Sequence, residues 1–432
     1  MQPGSGLPLE ISLEKPLGID RGQPWRVLQE EGAHDFSMVQ ESHTSRISKR
    51  LRFDADGWGA DLTIQIENRT LKPQPARLAL SIHGRQAPDA PQPGFLTPGV
   101  RIWQAACHAN GEMEHETHES LAKKEVSHVG QVRWAGILDK YFLLAAVPMP
   151  EKQNLRCALS AGNDGALTAA ISYAERMVAP GGTETYRLRL FLGPKVLEEL
   201  DAVAVEGVDA ALGDAVDYGW LRPVCRPMIW LLKRLFGLAH NWGVAIILLT
   251  FVVKLLTIYP TQKSMLSMRR MAQVGPEMQK LRDKYKDQKE RLNQEVMALY
   301  KRHNINPLGG CLPMLLQMPI WIALYTTISE SVELYRSGFG GWITDLAAPD
   351  RFYVMPIVLG GLTFLQTRLT PNPSQDPQAK MMGYMMPVMF LMFSLFVPSG
   401  LTLYWFVNTL LSIAHQLYMN RAHPLPAAAK RP

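Results

Sequence analysis

"LLTFVVKLLTIYP", residues 248–260, reads as the inside of a membrane-spanning helix interrupted by one lysine, Lys254. Lipid is a poor solvent for an ammonium. Centring one in a spanning helix costs roughly 2.5–3.5 kcal/mol on insertion scales, so such residues usually face water or protein. Lys254 stands six residues before Pro260, about 9 Å at 1.5 Å per residue, and a lysine stem can snorkel over most of that distance. The neighbours argue for a wet interior instead. Thr250, Lys254, Thr257 and Thr261 share one helix face and form a polar stripe. Gln317 in "LLQMPIW", Ser394, and Tyr404 and Asn408 in "LYWFVNTL" are isolated polar residues in other apolar runs. Converging on the stripe, they would line a groove open to the cytoplasm, whereas hydroxyls bonded to their own helix are the plainer reading of Ser and Thr.

Around this stretch the chain divides in two. It has 432 residues, 47% hydrophobic, with a formal net charge of +6, but long apolar runs occur only from Trp242 onward. Five spans are expected, at about 242–260, 312–330, 352–369, 381–398 and 400–419. Between the first two, residues 261–311 carry eleven Lys and Arg, which marks the cytoplasmic side. The next loop, "SVELYRSGFGGWITDLAAPDR", is short of basic residues and includes Glu333, Asp345 and Asp350, and Arg368, Lys380, Arg421, Lys430 and Arg431 fall on the cytoplasmic side of the same scheme. Five spans with the C-terminus inside place the N-terminal half outside. A folded domain needs an export signal to get there, and the first thirty residues hold no apolar run of that kind. An upstream signal-anchor helix missing from this sequence is therefore expected.

The N-terminal half alternates apolar and polar residues at period two in "ADLTIQIENRT", "ARLALSIHGR" and "TYRLRLFLGPK", between Pro, Gly and Asn clusters. This pattern predicts a β-sandwich. It shows no nucleophile elbow, no phosphate-binding glycine loop and no evident carboxylate pair. Cys107, Cys157, Cys225 and Cys311 are widely spaced and are expected to be ordinary thiols. "CHANGEMEHETH" gathers Cys107, His108, His115 and His118, but its acidic, glycine-containing composition reads as a solvated loop rather than a metal site. From 194 to 217 the pattern turns helical. "YGWLRPVCRPMIWLLKRLFGLAHN" then suits a basic amphipathic helix in the headgroup layer, or a plain connector.

The expected organisation is an extracytoplasmic β domain at 1–205, a linker and interfacial helix at 206–240, a membrane core at 241–420 and a short cytoplasmic tail at 421–432. Within the core, about 262–305 reads as a basic helical hairpin that could touch ribosomal RNA, headgroups or a partner protein. The fourth span, "MMGYMMPVMFLMF", has six methionines in thirteen residues. Flexible thioethers there, Met385, Met386, Met389 and Met392 among them, would suit a surface along which varied helices slide.

These residues carry a resemblance. "DYGWL" (217–221), "NWGVAIILLTFVVKLLTIYP" (241–260), "MALYKRHNINPLGGCLPMLLQMPIWIALY" (297–325) and "FVPSGLTLYWFVN" (396–408) resemble the YidC-type membrane protein insertases, the bacterial branch of a family shared with mitochondria and chloroplasts. "RWAGILDKYFLLAAVP" (133–148) and "LFLGPK" (190–195) are similar to the extracytoplasmic β-supersandwich of Gram-negative members. The resemblance implies a five-helix core around a hydrophilic groove, sealed on the outer side, with Lys254 where relatives usually carry arginine. It puts Thr250, Gln317, Tyr404 and Asn408 at polar groove positions and Trp342 at an aromatic near the outer seal. Lysine keeps the charge but not the planar fork. The tail "NRAHPLPAAAKRP" is short against the long basic tails of relatives that help hold ribosomes.

The sequence thus predicts an insertase and chaperone of the inner membrane, acting without nucleotide, cofactor or metal. Its clients would be nascent membrane proteins, its further partners the ribosome, a Sec translocon and lipid, and its working form a monomer. The rival from another class is a small-anion transporter using Lys254; transporters commonly carry internal repeats, and these spans show none.

Overall fold

The structure is a computed structural model that describes residues 9–13, 17, 24–32, 34–86, 102–149, 154–205, 208–285, 288–303, 305, 312–370 and 377–422. The chain forms two compact units, Met1–Asp217 and Tyr218–Pro432. Cys311 and most of the C-terminal tail lie outside the described residues.

The first unit holds β1 (Leu9–Leu13), β2 (Arg26–Gly32), β3 (Asp35–Glu41), β4 (Ser45–Phe53), β5 (Gly59–Asn68), β6 (Gln74–Ala76), β7 (Leu78–Arg85), β8 (Gln104–Ala109) and β9 (Glu112–Thr117). It continues with α1 (His118–Lys123), β10 (Val126–Gly130), β11 (Val132–Leu138), β12 (Phe142–Pro148), β13 (Leu155–Ala161), β14 (Ala166–Ser172), β15 (Arg176–Val178), β16 (Thr183–Pro194), α2 (Leu197–Asp201), β17 (Ala204–Val205) and β18 (Val208–Asp209). Two antiparallel sheets dominate, one ordered β2-β3-β4-β5-β16-β12-β11-β8-β9 and the other β1-β7-β14-β13-β10. Alternation decides which side chains enter the core. On β5, Ala60, Leu62, Ile64 and Ile66 are fully buried, and three of them stand opposite Leu190, Leu188 and Tyr186 of β16. From the smaller sheet, Leu78, Leu80 and Ile82 of β7 and Leu167, Ala169 and Ile171 of β14 join the same core. Each Leu or Ile buried so contributes roughly 1.5–3 kcal/mol.

Three expectations need correction here. Cys107 on β8 and Cys157 on β13 form a disulfide joining the two sheets, rather than standing as free thiols. Their separation of 50 residues hid a proximity that only sheet packing creates. "CHANGEMEHETH" is mostly the β8–β9 hairpin; Asn110 (φ 54) and Gly111 (φ 89) supply the left-handed pair a two-residue hairpin turn requires. The helical reading of 194–217 holds only for α2, after which β17 pairs with β18 and residues 211–217 run along the larger sheet. There Trp134 Nε1 donates to the Ala211 carbonyl at 3.4 Å, and His108 Nε2 lies 3.3 Å from Asp214 Oδ2.

The second unit holds α3 (Arg222–Ala239), α4 (Trp242–Gln273), α5 (Gly275–Lys284), α6 (Lys289–Arg302), α7 (Leu312–Glu330), α8 (Val354–Leu369), α9 (Pro377–Ser394) and α10 (Ser399–Ala422). In α3, Cys225, Ile229 and Leu232 recur on one buried face while Trp230 and Leu238 stay exposed. Its Lys233 Nζ lies 2.6 Å from Glu333 Oε1. The chain then turns sharply: His240 closes α3 at φ 51, and the Asn241 side chain caps α4 by accepting from Val244 N at 3.1 Å. Unlike the expected span, α4 continues through Pro260 to Gln273. The proline removes one N–H, a loss that membrane helices tolerate. Among the described residues, α4 is the one helix whose length and apolarity alone suffice to cross a bilayer; α8 and residues 383–394 of α9 are shorter apolar helices.

Candidate functional site

The site begins with α10, buried at Leu401, Thr402, Leu403 and Tyr404 and again at Ser412, Ile413 and Gln416. Asn408, Ser412 and Gln416 recur every fourth residue and so share a face. That face meets α4. Lys254 Nζ donates to Ser412 Oγ at 2.7 Å and to Asn408 Oδ1 at 3.4 Å, rather than running along its own helix toward Pro260. Ser412 spends its hydroxyl hydrogen on the Asn408 carbonyl at 2.7 Å, so its lone pairs are free to accept from the ammonium.

Beside this pair lies a cavity of about 330 Å³. Its wall comes from the middle and later part of α4 (Lys254, Thr257, Thr261, Ser264), the start of α7 (Leu316, Gln317), the end of α8 (Gln366, with Thr370 just beyond) and α10 (Asn408, Ser412, Gln416); Met265 and Met268 add thioethers. A cavity of this polarity can hold several waters. The amine therefore keeps solvation while most of its helix does not.

The two ends of the helical unit differ. Past Lys254 toward the start of α4, Ile246, Leu249, Ile328, Leu346, Leu359 and Leu401 are buried in apolar packing. The α7–α8 loop is tied down there, since Ser399 N and Gly400 N donate to the carbonyls of Ala348 and Leu346 at 2.7 and 2.8 Å. Gly243 of α4 lies so close to the Phe339 ring that any Cβ would overlap it. At the other end, Arg269 donates to Asn420 Oδ1, while Gln416 Nε2 reaches the same oxygen at 3.1 Å and the Leu369 carbonyl at 3.4 Å.

Of the residues singled out from the sequence, Lys254, Thr257, Gln317 and Asn408 line the cavity. Tyr404 is fully buried behind it, its hydroxyl accepting from Gln317 Nε2 at 2.6 Å. Thr250 does not line it; 1% exposed, it donates to the Ile246 carbonyl at 2.7 Å. Ser394 is likewise turned to its own helix, donating to the Leu391 carbonyl. Trp342 lies in the turn bridged by Phe339 and Ile343, 38% exposed and away from the cavity. Met385, Met386, Met389 and Met392 project outward from α9, whose Phe390 and Phe393 pack on Trp405 of α10. Sequence reasoning missed Ser412 and Gln416, although their four-residue spacing from Asn408 was a readable signal. It also missed Gln366, three residues inside the end of an expected span, and Ser264 and Thr370, which lie beyond the ends of theirs.

Comparison with known proteins gives the following. The family described as 60Kd inner membrane protein matches residues 232–426, and the YidC periplasmic domain matches residues 21–231. The membrane protein insertase YidC of Marinobacter nauticus is 36% identical over 388 residues, 89% of this chain and 66% of that protein. The namesake from Anaeromyxobacter dehalogenans strain 2CP-C is 36% identical over 446 residues, 99% of this chain and 78% of that protein. From Nitrosococcus oceani it is 35% identical over 400 residues, 92% and 71%. A solved structure of an active YidC insertase with its first transmembrane domain resolved aligns at 21% identity over 93% of this chain and 82% of that one, with a TM-score of 0.44.

Proposed function

Because the chain belongs to the YidC family of membrane protein insertases, we propose that it passes nascent transmembrane segments from the cytoplasm into the inner membrane through the polar cavity beside Lys254. The carrying observation is the position of the Lys254 ammonium, held by Asn408 and Ser412 beside a polar cavity of about 330 Å³.

In the proposed topology α4, α7, α8, α9 and α10 cross the bilayer, with the α5–α6 hairpin and the C-terminus in the cytoplasm. The eleven Lys and Arg of residues 261–311 support this orientation. The Cys107–Cys157 disulfide supports a periplasmic β domain, since such bonds persist in oxidising compartments. Under this topology α4, α7, α8 and α10 each give the cavity their cytoplasmic half, so it opens toward the ribosome side and ends at the apolar packing around Leu346 and Leu401.

The mechanism follows from solvation. A client's polar flank enters the cavity, where water and the side chains of Gln317, Asn408 and Ser412 replace bulk hydration, so it crosses a shorter stretch of hydrocarbon. Lys254 attracts acidic residues in that flank across a medium of low dielectric. The client's apolar helix meanwhile moves past Met385, Met386, Met389 and Met392 into lipid. Transfer of apolar surface from water drives this movement, and the membrane potential adds to it for acidic flanks. No bond is made or broken. The basic α5–α6 hairpin is the surface on which this reading places a ribosome or a Sec translocon.

The test is reconstituted insertion of a small client with wild type, Lys254→Arg and Lys254→Ala, read by protease protection of the client's flank. Equal insertion of acidic-flank clients by the alanine variant would remove Lys254 as the attractor.

A further inference from the structure

Four side chains able to ligate a metal form a ring at the rim where both sheets of the β unit end. β9 is the last strand of the larger sheet and β10 the last of the smaller. Glu114 of β9 stands directly opposite Cys107 of β8, and His128 of β10 directly opposite Cys157 of β13. Side chains so paired share a face, with Cβ atoms about 4.5–5.5 Å apart. The Cys107–Cys157 bond closes the ring on its inner side, and His128 Nε2, 2.5 Å from Glu114 Oε2, closes it on the outer. The cysteines are 1% and 0% exposed, whereas the side chains of His128 and Glu114 are 38% and 40% exposed. The ring is thus sealed toward the core and open to solvent.

Neighbouring donors are turned elsewhere. Strand alternation puts His108 and His115 on the opposite face of the β8–β9 hairpin, beside Asp214 and Asp217, and His118 Nε2 contacts the Gly162 carbonyl. Glu112 and Glu116 share the face of Glu114 but stand opposite Ala109 and Ala105. With both sulfurs tied to each other, no three donors among the described residues could hold a metal ion. Reduction changes that. Two thiolates, one imidazole nitrogen and one carboxylate oxygen make a tetrahedral donor set of the kind that selects Zn²⁺. Zn–N and Zn–O distances of about 2.0–2.2 Å place those two ligand atoms roughly 3.4 Å apart, about 1 Å more than the present His128–Glu114 contact. Rotation of two rim side chains supplies that opening.

We propose that Cys107, Glu114, His128 and Cys157 form a zinc site when the disulfide is reduced, so that a metal ion joins the two sheets in place of the S–S bond. A phosphine and water convert the S–S bond into two thiols and leave as phosphine oxide. Zn²⁺ then displaces both thiol protons to solvent as the sulfurs bind it. The site depends on neither the membrane topology nor the role of Lys254.

The test uses the full chain in detergent, reduced with a phosphine, desalted and titrated with Co²⁺ as a spectroscopic stand-in for Zn²⁺. One Co²⁺ per chain is expected, with thiolate-to-cobalt charge-transfer absorption and the visible bands of a tetrahedral ion, both lost when Zn²⁺ displaces it. The oxidised chain should show neither. His128→Ala and Glu114→Gln, each folded with the disulfide intact before reduction, should weaken Co²⁺ binding at least about tenfold. Zn²⁺ should also raise the melting temperature of the β unit in the reduced chain and leave that of the oxidised chain unchanged. Absent cobalt–thiolate absorption in the reduced wild type, undiminished binding by either variant, or melting of the reduced protein unmoved by Zn²⁺ overturns the proposal.

Discussion

Lys254 Nζ lies 2.7 Å from Ser412 Oγ, so the lone cation of an otherwise apolar stretch of α4 is anchored by the neighbouring helix. This contact separates the charge of Lys254 from its position, and each can be varied alone.

Removing the charge should matter only to clients that carry the opposite one. Lys254→Ala is expected to lower insertion of acidic-flank clients about tenfold, equivalent to about 1.4 kcal/mol of lost attraction. Lys254→Arg should preserve it, and clients with neutral flanks should insert equally with all three proteins in the protease-protection assay.

Removing the anchor should have a smaller effect. Ser412→Ala deletes the nearer acceptor while leaving Asn408 Oδ1 at 3.4 Å, and is expected to cost about 1 kcal/mol of stability by thermal unfolding in detergent. Ser412→Thr keeps a hydroxyl and should restore both stability and acidic-flank insertion. Failure of threonine to rescue would mean that shape, not the hydrogen bond, matters at this position.

The Gln317–Tyr404 hydrogen bond should be lopsided. Gln317 faces the cavity, whereas Tyr404 is fully buried. Tyr404→Phe leaves an amide that water can satisfy, but Gln317→Leu strands a hydroxyl in the packed interior at a cost of about 1–3 kcal/mol. Melting temperatures should therefore fall further for Gln317→Leu than for Tyr404→Phe.

The β domain should lose protection in mild acid. Burial holds the His108 imidazole below its ordinary 6.5, with Asp214 pulling it partly back and Arg133 pushing it further down. The unfolded chain takes up this proton near pH 6.5, while the folded chain takes it only at lower pH. The stabilisation from neutral His108 is therefore complete above pH 6.5 and is lost progressively below it. Hydrogen-exchange protection of β8 and β9, corrected for intrinsic rates, should drop as the pH falls below about 6.5, and His108→Gln should flatten the dependence.

Reduction should loosen the same domain. The Cys107–Cys157 bond closes a loop spanning 50 residues between the two sheets, and Cys107→Ala with Cys157→Ala is expected to cost about 2–4 kcal/mol. The comparison to make is the melting temperature of the β unit in the full chain, with and without reductant. Client insertion by protein that stays folded should be unchanged.

Much of this protein could be read from residue order, for a definite reason. Period-two alternation in "ADLTIQIENRT" is local, and it gave the buried face of β5 before any partner strand was known. Apolar run length, the basic 261–311 segment and the lysine within an apolar helix are equally local. Gly111 is legible as a turn residue, but the charged, histidine-rich residues that follow it mask the β8–β9 pairing.

What residue order could not supply are relations between distant segments. Cys107 and Cys157 meet because two sheets pack, Thr250 is excluded from the cavity because it sits one turn nearer the start of α4 than Lys254, where it is buried with its hydroxyl bonded to the Ile246 carbonyl, and Ser412 becomes the partner of Lys254 because α10 crosses beside α4. The sequence by itself determined which stretches are strand or apolar helix and that one charge would lack lipid-compatible solvation. Only the tertiary structure decided which polar groups solvate that charge, because a hydrogen bond depends on separations of a few ångströms that chain distance does not encode.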